Sequence, residues 1–159
     1  MNRRNMLSQM LMGGAALLLG APLMSKSAFA YAVTKTNAEW KALLPAESYN
    51  VLRHEGTERA FSSPLDHLFK KGTYSCMGCN LDNFKSETKF DSGTGWPSFW
   101  APIQGAVEQK HDLSFGMDRT AVNCSRCGGH LGHVFDDGPK PTGQRYCMNG
   151  VALKFKAAA

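Results

Sequence analysis

The spacing of its cysteines constrains this chain more than any other feature. Four of the five cysteines form two pairs with C-x-x-C spacing, Cys76/Cys79 and Cys124/Cys127. Small or turn-forming residues follow each pair, so each pair predicts a tight knuckle that presents two thiolates to one metal ion. Because 44 residues separate the pairs, a substantial part of the domain must lie between the two knuckles.

Three chemistries fit two C-x-x-C pairs, and zinc fits them best. Disulfides would suit an exported protein, and a C-x-x-C pair can itself be redox-active. Two knuckles with four thiolates are more typical of tetrahedral zinc. His130 and His133 suit the metal less well, since only two residues separate Cys127 from His130. We therefore predict one structural Zn²⁺ per chain, bound by the four paired cysteines with no open position for catalysis.

Cys147 is the one cysteine outside these pairs. A lone cysteine is usually part of a buried core, but four cysteines assigned to a metal leave this fifth thiol for chemistry. In an extended segment, the alternation of side chains places Arg145, Cys147 and Asn149 on one face. A guanidinium beside the thiol, facing an arm that carries His133 and Asp137, favours a thiolate nucleophile or a redox thiol.

Residues 1–30 predict an export signal. Arg3 and Arg4 lie in a charged start, an apolar Gly/Ala-rich run follows, and Ala28-Phe29-Ala30 fits a cleavage site. The alternative is a membrane anchor, but the apolar run is interrupted and shorter than the roughly 20 residues of a spanning helix. We expect cleavage after Ala30, a periplasmic or secreted domain over residues 31–159, and membrane contact during export only. The paired arginines also fit a twin-arginine signal.

The charge balance argues against nucleic acid as a partner. The whole chain has a formal net charge of +5, but three of its basic residues belong to the export signal. Residues 31–159 retain 15 basic and 13 acidic residues, with no run of lysine or arginine. Such a composition does not provide the basic patch on which nucleic-acid binding depends.

Local patterns predict a mainly β domain with short helices at its N-terminal end. Thr36-Asn37 predicts a helix N-cap ahead of residues 38–44, Pro45 ends that helix, and a second helix is expected over 46–53. Residues 54–72 predict a loop. From Thr73 onward, short β-branched or aromatic segments between turn residues favour antiparallel sheet. The expected strands are 73–76, 105–109, 113–116, 120–124, 131–136, 145–149 and 151–155.

An aromatic loop lies between the two knuckles. Glycines and prolines punctuate residues 89–102, which include Trp96, Phe99 and Trp100. Buried aromatic residues most often belong to a core. In a turn-rich loop they could instead wall a small apolar pocket with a few polar groups, which is the usual form of a ligand site.

Together these segments resemble the B-type methionine sulfoxide reductases, the peptide-methionine (R)-S-oxide reductases. The matching segments are Gly72–Cys79, Lys89–Phe99, Gly116–Arg119, Cys124–Cys127, His130–Pro141 and Arg145–Asn149. The resemblance implies a zinc-stapled domain of two small antiparallel sheets, in which Cys147 reduces the R epimer of free or peptide-bound methionine sulfoxide. It also implies a catalytic set of Cys147, His130, His133, Asp137, Arg145 and Asn149, with Trp96 and Phe135 binding the substrate.

The chemistry of a sulfoxide explains this choice of residues. Its sulfur is positive and its oxygen negative, so reduction needs a nucleophile at sulfur and a proton donor at oxygen. We expect Arg145 and a histidine to lower the pKa of Cys147, whose thiolate attacks the sulfur. His133, supported by Asp137, is the expected general acid. Cys147 then becomes a sulfenic acid that a thiol must reduce.

One position departs from the pattern of the resembling family. Many of its members carry a second, resolving cysteine in a Ser-Gly-x-Gly-Trp-Pro loop, and this chain has Thr94 there. A disulfide with that position cannot form. We therefore expect an external thiol, such as a thioredoxin-like reductant, to regenerate Cys147.

Two other functions fit parts of the sequence. A non-catalytic, zinc-stapled binding module could hold a protein partner with the aromatic loop, but it leaves Cys147 and Arg145 without a use. A general thiol–disulfide oxidoreductase could use the C-x-x-C pairs, but four metal-bound thiolates cannot exchange disulfides. Zinc stoichiometry separates this last function from sulfoxide reduction.

Overall fold

The computed structural model describes residues 31–158, in which two short helices precede nine antiparallel strands. The helices are α1 (Asn37–Leu43) and α2 (Ala46–His54). The strands are β1 (Gly72–Cys76), β2 (Asp82–Lys85), β3 (Lys89–Phe90), β4 (Ser98–Phe99), β5 (Val107–Asp112), β6 (Arg119–Cys124), β7 (His130–Phe135), β8 (Arg145–Met148) and β9 (Leu153–Ala157). The predicted export signal lies outside the described residues. No helix within residues 31–158 is long and apolar enough to cross a membrane.

The first helix begins at the predicted cap. The Thr36 hydroxyl accepts the Glu39 N–H at 3.3 Å, and the Glu39 carboxylate accepts the Thr36 N–H at 2.7 Å. This reciprocal capping box satisfies two backbone donors at the start of the helix. Trp40 of α1 is only 1% exposed and belongs to the same core as Leu52 of α2. The two helices are therefore fixed to the β domain by buried side chains.

The strands form two sheets. The three-stranded sheet has the order β2-β1-β9, and the six-stranded sheet has the order β3-β4-β8-β7-β6-β5. In the larger sheet β8 lies between β4 and β7, so Cys147 is paired with Ser98 on one side and His133 on the other. Directly opposite residues of antiparallel strands project from the same face. The register therefore places His133 beside the Cys147 side chain.

Aromatic residues from both sheets meet in the core. Tyr74 and Phe84 of the smaller sheet and Phe99 of the larger one are fully buried. Phe84 stacks on Phe99 with ring centroids 4.4 Å apart, and Tyr74 meets the same ring edge-on at 5.0 Å. The residues on either side of Cys147 in β8 are buried in this core as well. The predicted alternation thus leaves Cys147 on the opposite face of the strand.

The mainly β fold class is confirmed, while several element boundaries differ from the expectation. A strand over 113–116 is wrong, because Ser114–Gly116 form a 3₁₀ turn and Gly116 has a φ of +70°, which no strand allows. Strands β2, β3 and β4 were missed. The last strand begins at Leu153, two residues later than expected.

Candidate active site and metal centre

The two C-x-x-C pairs form knuckles of the same backbone conformation. The Asn80 N–H donates to the Cys76 carbonyl at 3.0 Å, and the Gly128 N–H donates to the Cys124 carbonyl at 2.8 Å. Asn80 and Gly128 have φ values of +60° and +67°, in the left-handed region that glycine and asparagine tolerate best. The turn residues noted after each pair therefore have a direct structural use.

The four cysteine sulfurs form one cluster in which all lie within 4.8 Å of one another. Cys76 Sγ is 3.7 Å from Cys127 Sγ, and Cys79 Sγ is 3.5 Å from Cys124 Sγ. Four Zn–S bonds of about 2.3 Å at tetrahedral angles require sulfur separations of about 3.8 Å. The donor set therefore fits a tetrahedral metal ion. Such an ion would join the smaller sheet, through Cys76, to the larger one, through Cys124.

A small cavity of about 150 Å³ opens beside Cys147. It is lined by Thr57, Trp96, Arg119, Gly132, His133, Phe135, Cys147 and Asn149. Gly132 lets the strands approach here, since a Cβ at this position would lie 2.1 Å from the Cys147 carbonyl oxygen. The volume is below the roughly 300 Å³ of a small-molecule pocket. The cavity therefore has the size to admit the end of one side chain.

The pKa of Cys147 is raised, chiefly by burial. Hydrogen bonding by Thr94 and the positive charge of Arg145 act in the opposite direction, and Ser98 adds to them. Burial outweighs all three, so the expected lowering of this pKa is wrong for the protein without substrate. Cys147 is consequently a protonated thiol at neutral pH.

Thr94 lies next to Cys147 although 52 residues separate the two in the sequence. Its Oγ1 is 3.9 Å from Cys147 Sγ. The Ser92 hydroxyl links Thr94, at 2.8 Å, to Ser98, at 2.7 Å. The aromatic loop therefore brings position 94 against the thiol, and hydroxyl groups surround the sulfur on that side.

His133 is held by Asp112, which the sequence did not single out. His133 Nε2 lies 2.8 Å from Asp112 Oδ2, and the same oxygen accepts Arg119 Nη2 at 2.7 Å. Hydrogen bonds from Ser114 first, and then from His133, hold the pKa of Asp112 well below its usual range. Because an ionised carboxylate only accepts hydrogen bonds, His133 Nε2 must carry a proton.

Asp137 binds Arg145 rather than His133, so the expected support of His133 by Asp137 is wrong. Arg145 Nε and Nη2 donate to the two Asp137 oxygens at 2.8 Å each. The register of β7 and β8 pairs Arg145 with Phe135, two residues before Asp137 in the chain, which brings the Asp137 carboxylate to Arg145. Asp112 reaches His133 from the end of β5 instead. The Arg145 guanidinium also lies 4.5 Å from the Phe135 ring centroid. The Asp137–Arg145 pair therefore fixes one wall of the cavity.

His130 lies behind the cavity. It is 2% exposed, and its Nδ1 is 3.2 Å from Asn123 Oδ1. Burial lowers the pKa of His130 to about 4, so the ring is neutral at neutral pH. It meets the His133 ring edge-on with centroids 5.1 Å apart. A neutral, buried ring is placed to support His133 and not to donate a proton to substrate.

Four residues near the cavity were missed from the sequence: Thr57, Glu58, Asp112 and Arg119. The only signal was for Arg119, which belongs to the matching segment Gly116–Arg119. Asp112 is on β5 and His133 is on β7, and the two side chains meet across the intervening strand β6. Only this strand order brings them together. Glu58 lies in a segment that the sequence predicted only as loop.

This fold and site define a class of protein. It is a small β domain with a cluster of four cysteines that could hold a metal ion and, apart from that cluster, one half-buried thiol in a side-chain-sized cavity with a histidine. A thiol in such a cavity can act as a nucleophile or as a redox group.

The comparisons with known proteins specify the family. Residues 44–157 match the family described as the SelR domain. A peptide methionine sulfoxide reductase MsrB of Leptospira interrogans is 52% identical over 127 residues, covering 79% of this chain and 97% of that protein. Proteins of the same name from Methanosarcina barkeri and Pseudomonas putida are 56% and 54% identical, covering 79% and 78% of this chain and 89% and 94% of their own lengths. The chain belongs to the SelR (MsrB) family, and the resemblance seen in its sequence is confirmed.

Proposed function

We propose that this protein reduces the R epimer of methionine sulfoxide, free or within a peptide, to methionine. Family membership supports sulfoxide reduction, and the match to the R-specific reductases supports the choice of epimer. A non-catalytic binding module is not favoured, because it would leave Cys147 and His133 in the cavity without a use.

The observation that carries the proposal is the set of groups around Cys147. Trp96 and Phe135 give the cavity apolar walls for the methyl and methylene groups of the substrate, and His133 gives it a polar group. A cavity of about 150 Å³ matches the end of a methionine side chain better than it matches a cofactor. The thiol and the proton donor therefore meet the substrate together.

The reaction transfers one oxygen atom to Cys147. Its sulfur, as the thiolate, attacks the sulfoxide sulfur, while His133 protonates the sulfoxide oxygen as general acid. The S–O bond of the substrate then breaks, and the hydroxyl group ends on the cysteine sulfur. One thiol and one sulfoxide thus give one sulfenic acid and one thioether. The substrate sulfur gains two electrons, and the Cys147 sulfur loses two.

Asp112 positions the acid. The ionised carboxylate holds the proton on His133 Nε2, so Nδ1 is the nitrogen that exchanges a proton with the substrate oxygen. Arg119 shares the same carboxylate oxygen and thereby fixes the carboxylate itself. The proton that the Cys147 thiol loses passes to His133 Nδ1 and from there to the sulfoxide oxygen, so the step consumes no external proton.

The sulfenic acid is reduced by an external thiol. Thr94 supplies no sulfur, and the other four cysteines lie in the proposed metal site. Two thiol groups from outside the chain return Cys147 to the thiol and leave as a disulfide and water. A thioredoxin-like domain or a small dithiol fits this chemistry.

Zn²⁺ is the metal we propose for the four-cysteine site, at one ion per chain. The sulfur separations suit its bond length, and thiolates are its preferred ligands in closed structural sites. Bound in this way, the four sulfurs are not available to exchange disulfides. The proposed metal has a structural role and takes no part in sulfoxide reduction.

An assay with each epimer of a blocked methionine sulfoxide, with dithiothreitol as reductant, tests the proposed activity. We expect turnover of the R epimer and none of the S epimer. Cys147→Ser should abolish turnover while metal content and circular dichroism remain those of the wild type. Residual activity that follows the folded fraction of this variant would contradict a catalytic Cys147.

For the N-terminal segment we propose export and cleavage after Ala30, giving a periplasmic or secreted enzyme. A folded, metal-loaded domain would keep its thiols from an oxidising compartment during transport, which favours the twin-arginine route. Replacing Arg3 and Arg4 by lysine should then leave uncleaved protein in the cytoplasm. Normal processing of that variant would exclude this route.

A further inference from the structure

Thr57 and Glu58 lie at the cavity although they belong to neither sheet. Thr57 lines the cavity, and the main chain of Glu58 binds two of the cavity side chains. The Trp96 indole N–H donates to the Glu58 carbonyl at 3.2 Å, and the Glu58 N–H donates to Asn149 Oδ1 at 2.9 Å. One residue of this segment therefore orients two of the side chains that line the site.

The Glu58 side chain anchors that segment. Its carboxylate accepts the backbone N–H of Gly150 and, at 3.0 Å, the N–H of Val151. These donors open the 3₁₀ turn Gly150–Ala152, which directly follows Asn149. Burial raises the pKa of Glu58, and the two backbone donors act against it. A half-buried carboxylate is thus kept in place by two N–H groups.

Further contacts join the same loop to the Trp96 loop. The Phe61 N–H donates to the Gly95 carbonyl at 2.8 Å. Gly95 has a φ of +86°, and a Cβ on it would lie 2.7 Å from the Phe61 nitrogen. The residue before Trp96 must therefore be glycine for the two loops to lie this close.

We propose that Glu58 is a positioning residue for the sulfoxide reduction, holding the main chain at 57–59 so that Trp96 and Asn149 face the substrate. This inference rests on the proposed function and extends it to a residue outside the cavity. Glu58 touches neither the substrate nor the reacting sulfur. It acts through the indole and the amide that it orients.

Glu58→Gln tests this with little change in size. A carboxylate accepts two N–H groups with its two oxygens, whereas an amide offers one oxygen and turns an NH₂ donor toward the other N–H. The anchor then fails at one of its two points. Ser48→Ala is the matched control, because the buried Ser48 hydroxyl donates to the Val151 carbonyl at 2.7 Å and so holds the same turn from α2.

The experiment measures kcat and KM with the R epimer, metal content, and the indole N–H resonance of Trp96 by ¹⁵N NMR, assigned with Trp96→Phe. For Glu58→Gln we expect kcat/KM to fall roughly 10- to 100-fold per folded molecule, a shift of the Trp96 resonance, and full metal content. Ser48→Ala should keep wild-type kcat/KM and the wild-type resonance. Wild-type kcat/KM in Glu58→Gln, or equal losses in both variants, would overturn the proposal. An inactive wild-type protein would instead refute the proposed function. The positioning role is still tested in that case, because an unmoved Trp96 resonance in Glu58→Gln would refute it without any measurement of activity.

Discussion

Thr94→Cys should give this protein an internal route for resolving its sulfenic acid. Thr94 Oγ1 is already 3.9 Å from Cys147 Sγ. A cysteine at position 94 would carry its sulfur on the same Cβ atom, through a bond longer than the C–O bond of threonine. A small rotation within the glycine-flanked loop brings two sulfurs to bonding distance. The new thiol can therefore attack the sulfenic acid and expel water.

The sequence separation sets the size of the effect on stability. A disulfide between residues 53 apart closes a loop that removes roughly 4 kcal/mol of unfolded-chain entropy. This is an upper value, since strain in the native loop subtracts from it. For a domain of this size, the oxidised variant should melt up to about 15 °C above its reduced form.

Single turnover followed by intact mass measurement checks the prediction. Thr94→Cys treated with one equivalent of R-sulfoxide should lose two hydrogens relative to its reduced form, with the metal retained. Thr94→Ser, which cannot form the bond, should gain one oxygen. If Thr94→Cys also gained one oxygen and formed no disulfide, the placement of position 94 beside the catalytic thiol would be refuted.

Three further predictions concern the metal, the acid and the nucleophile. Cys79→Ser should release the metal and unfold much of the domain, because structural zinc sites contribute roughly 10–16 kcal/mol of folding free energy; metal analysis and circular dichroism measure both. Asp112→Asn should lower kcat roughly 10-fold or more in the sulfoxide assay, since His133 loses the charge that orients its proton. The rate of alkylation of Cys147 by iodoacetamide should rise with pH, and the pH at the midpoint of this rise should lie above that of free cysteine, because burial raises the pKa of Cys147. Thr94→Val should move this midpoint higher still, since it removes a hydrogen bond that lowers the pKa.

Each of these has a control or a contrary outcome. Full metal content in Cys79→Ser would contradict a four-cysteine site. Asp118→Asn removes an exposed carboxylate that pairs with His111 and should leave kcat unchanged, so an equal loss in both variants would assign the effect to surface charge. An alkylation midpoint below that of free cysteine would mean that Arg145 outweighs burial after all.

Features that depend on neighbouring residues were predictable. The C-x-x-C spacing fixes which cysteines share a knuckle, and the turn residue after each pair adopts the left-handed conformation seen at Asn80 and Gly128. The alternation in β8 correctly separated Cys147 from the buried residues on either side of it. Two- to four-residue strands such as β3 and β4 are too short for any alternation to show.

Features that depend on strand order were not predictable from the chain. Asp137 is four residues from His133, which made it the natural partner, but the partner is Asp112 from a strand two positions away in the sheet. The pKa of Cys147 was misjudged for the same reason. The charge of Arg145 is visible in the sequence, whereas the burial that outweighs it follows only from packing.

One measurement tests the central claim that Cys147 alone takes the oxygen of the substrate. The wild-type protein is mixed with one equivalent of the R epimer without reductant, and its intact mass, trapped sulfenic acid, methionine product and metal content are determined. We predict one added oxygen on Cys147, one methionine formed, and the metal retained. Loss of two hydrogens with release of the metal, or no oxygen transferred at all, would contradict the account.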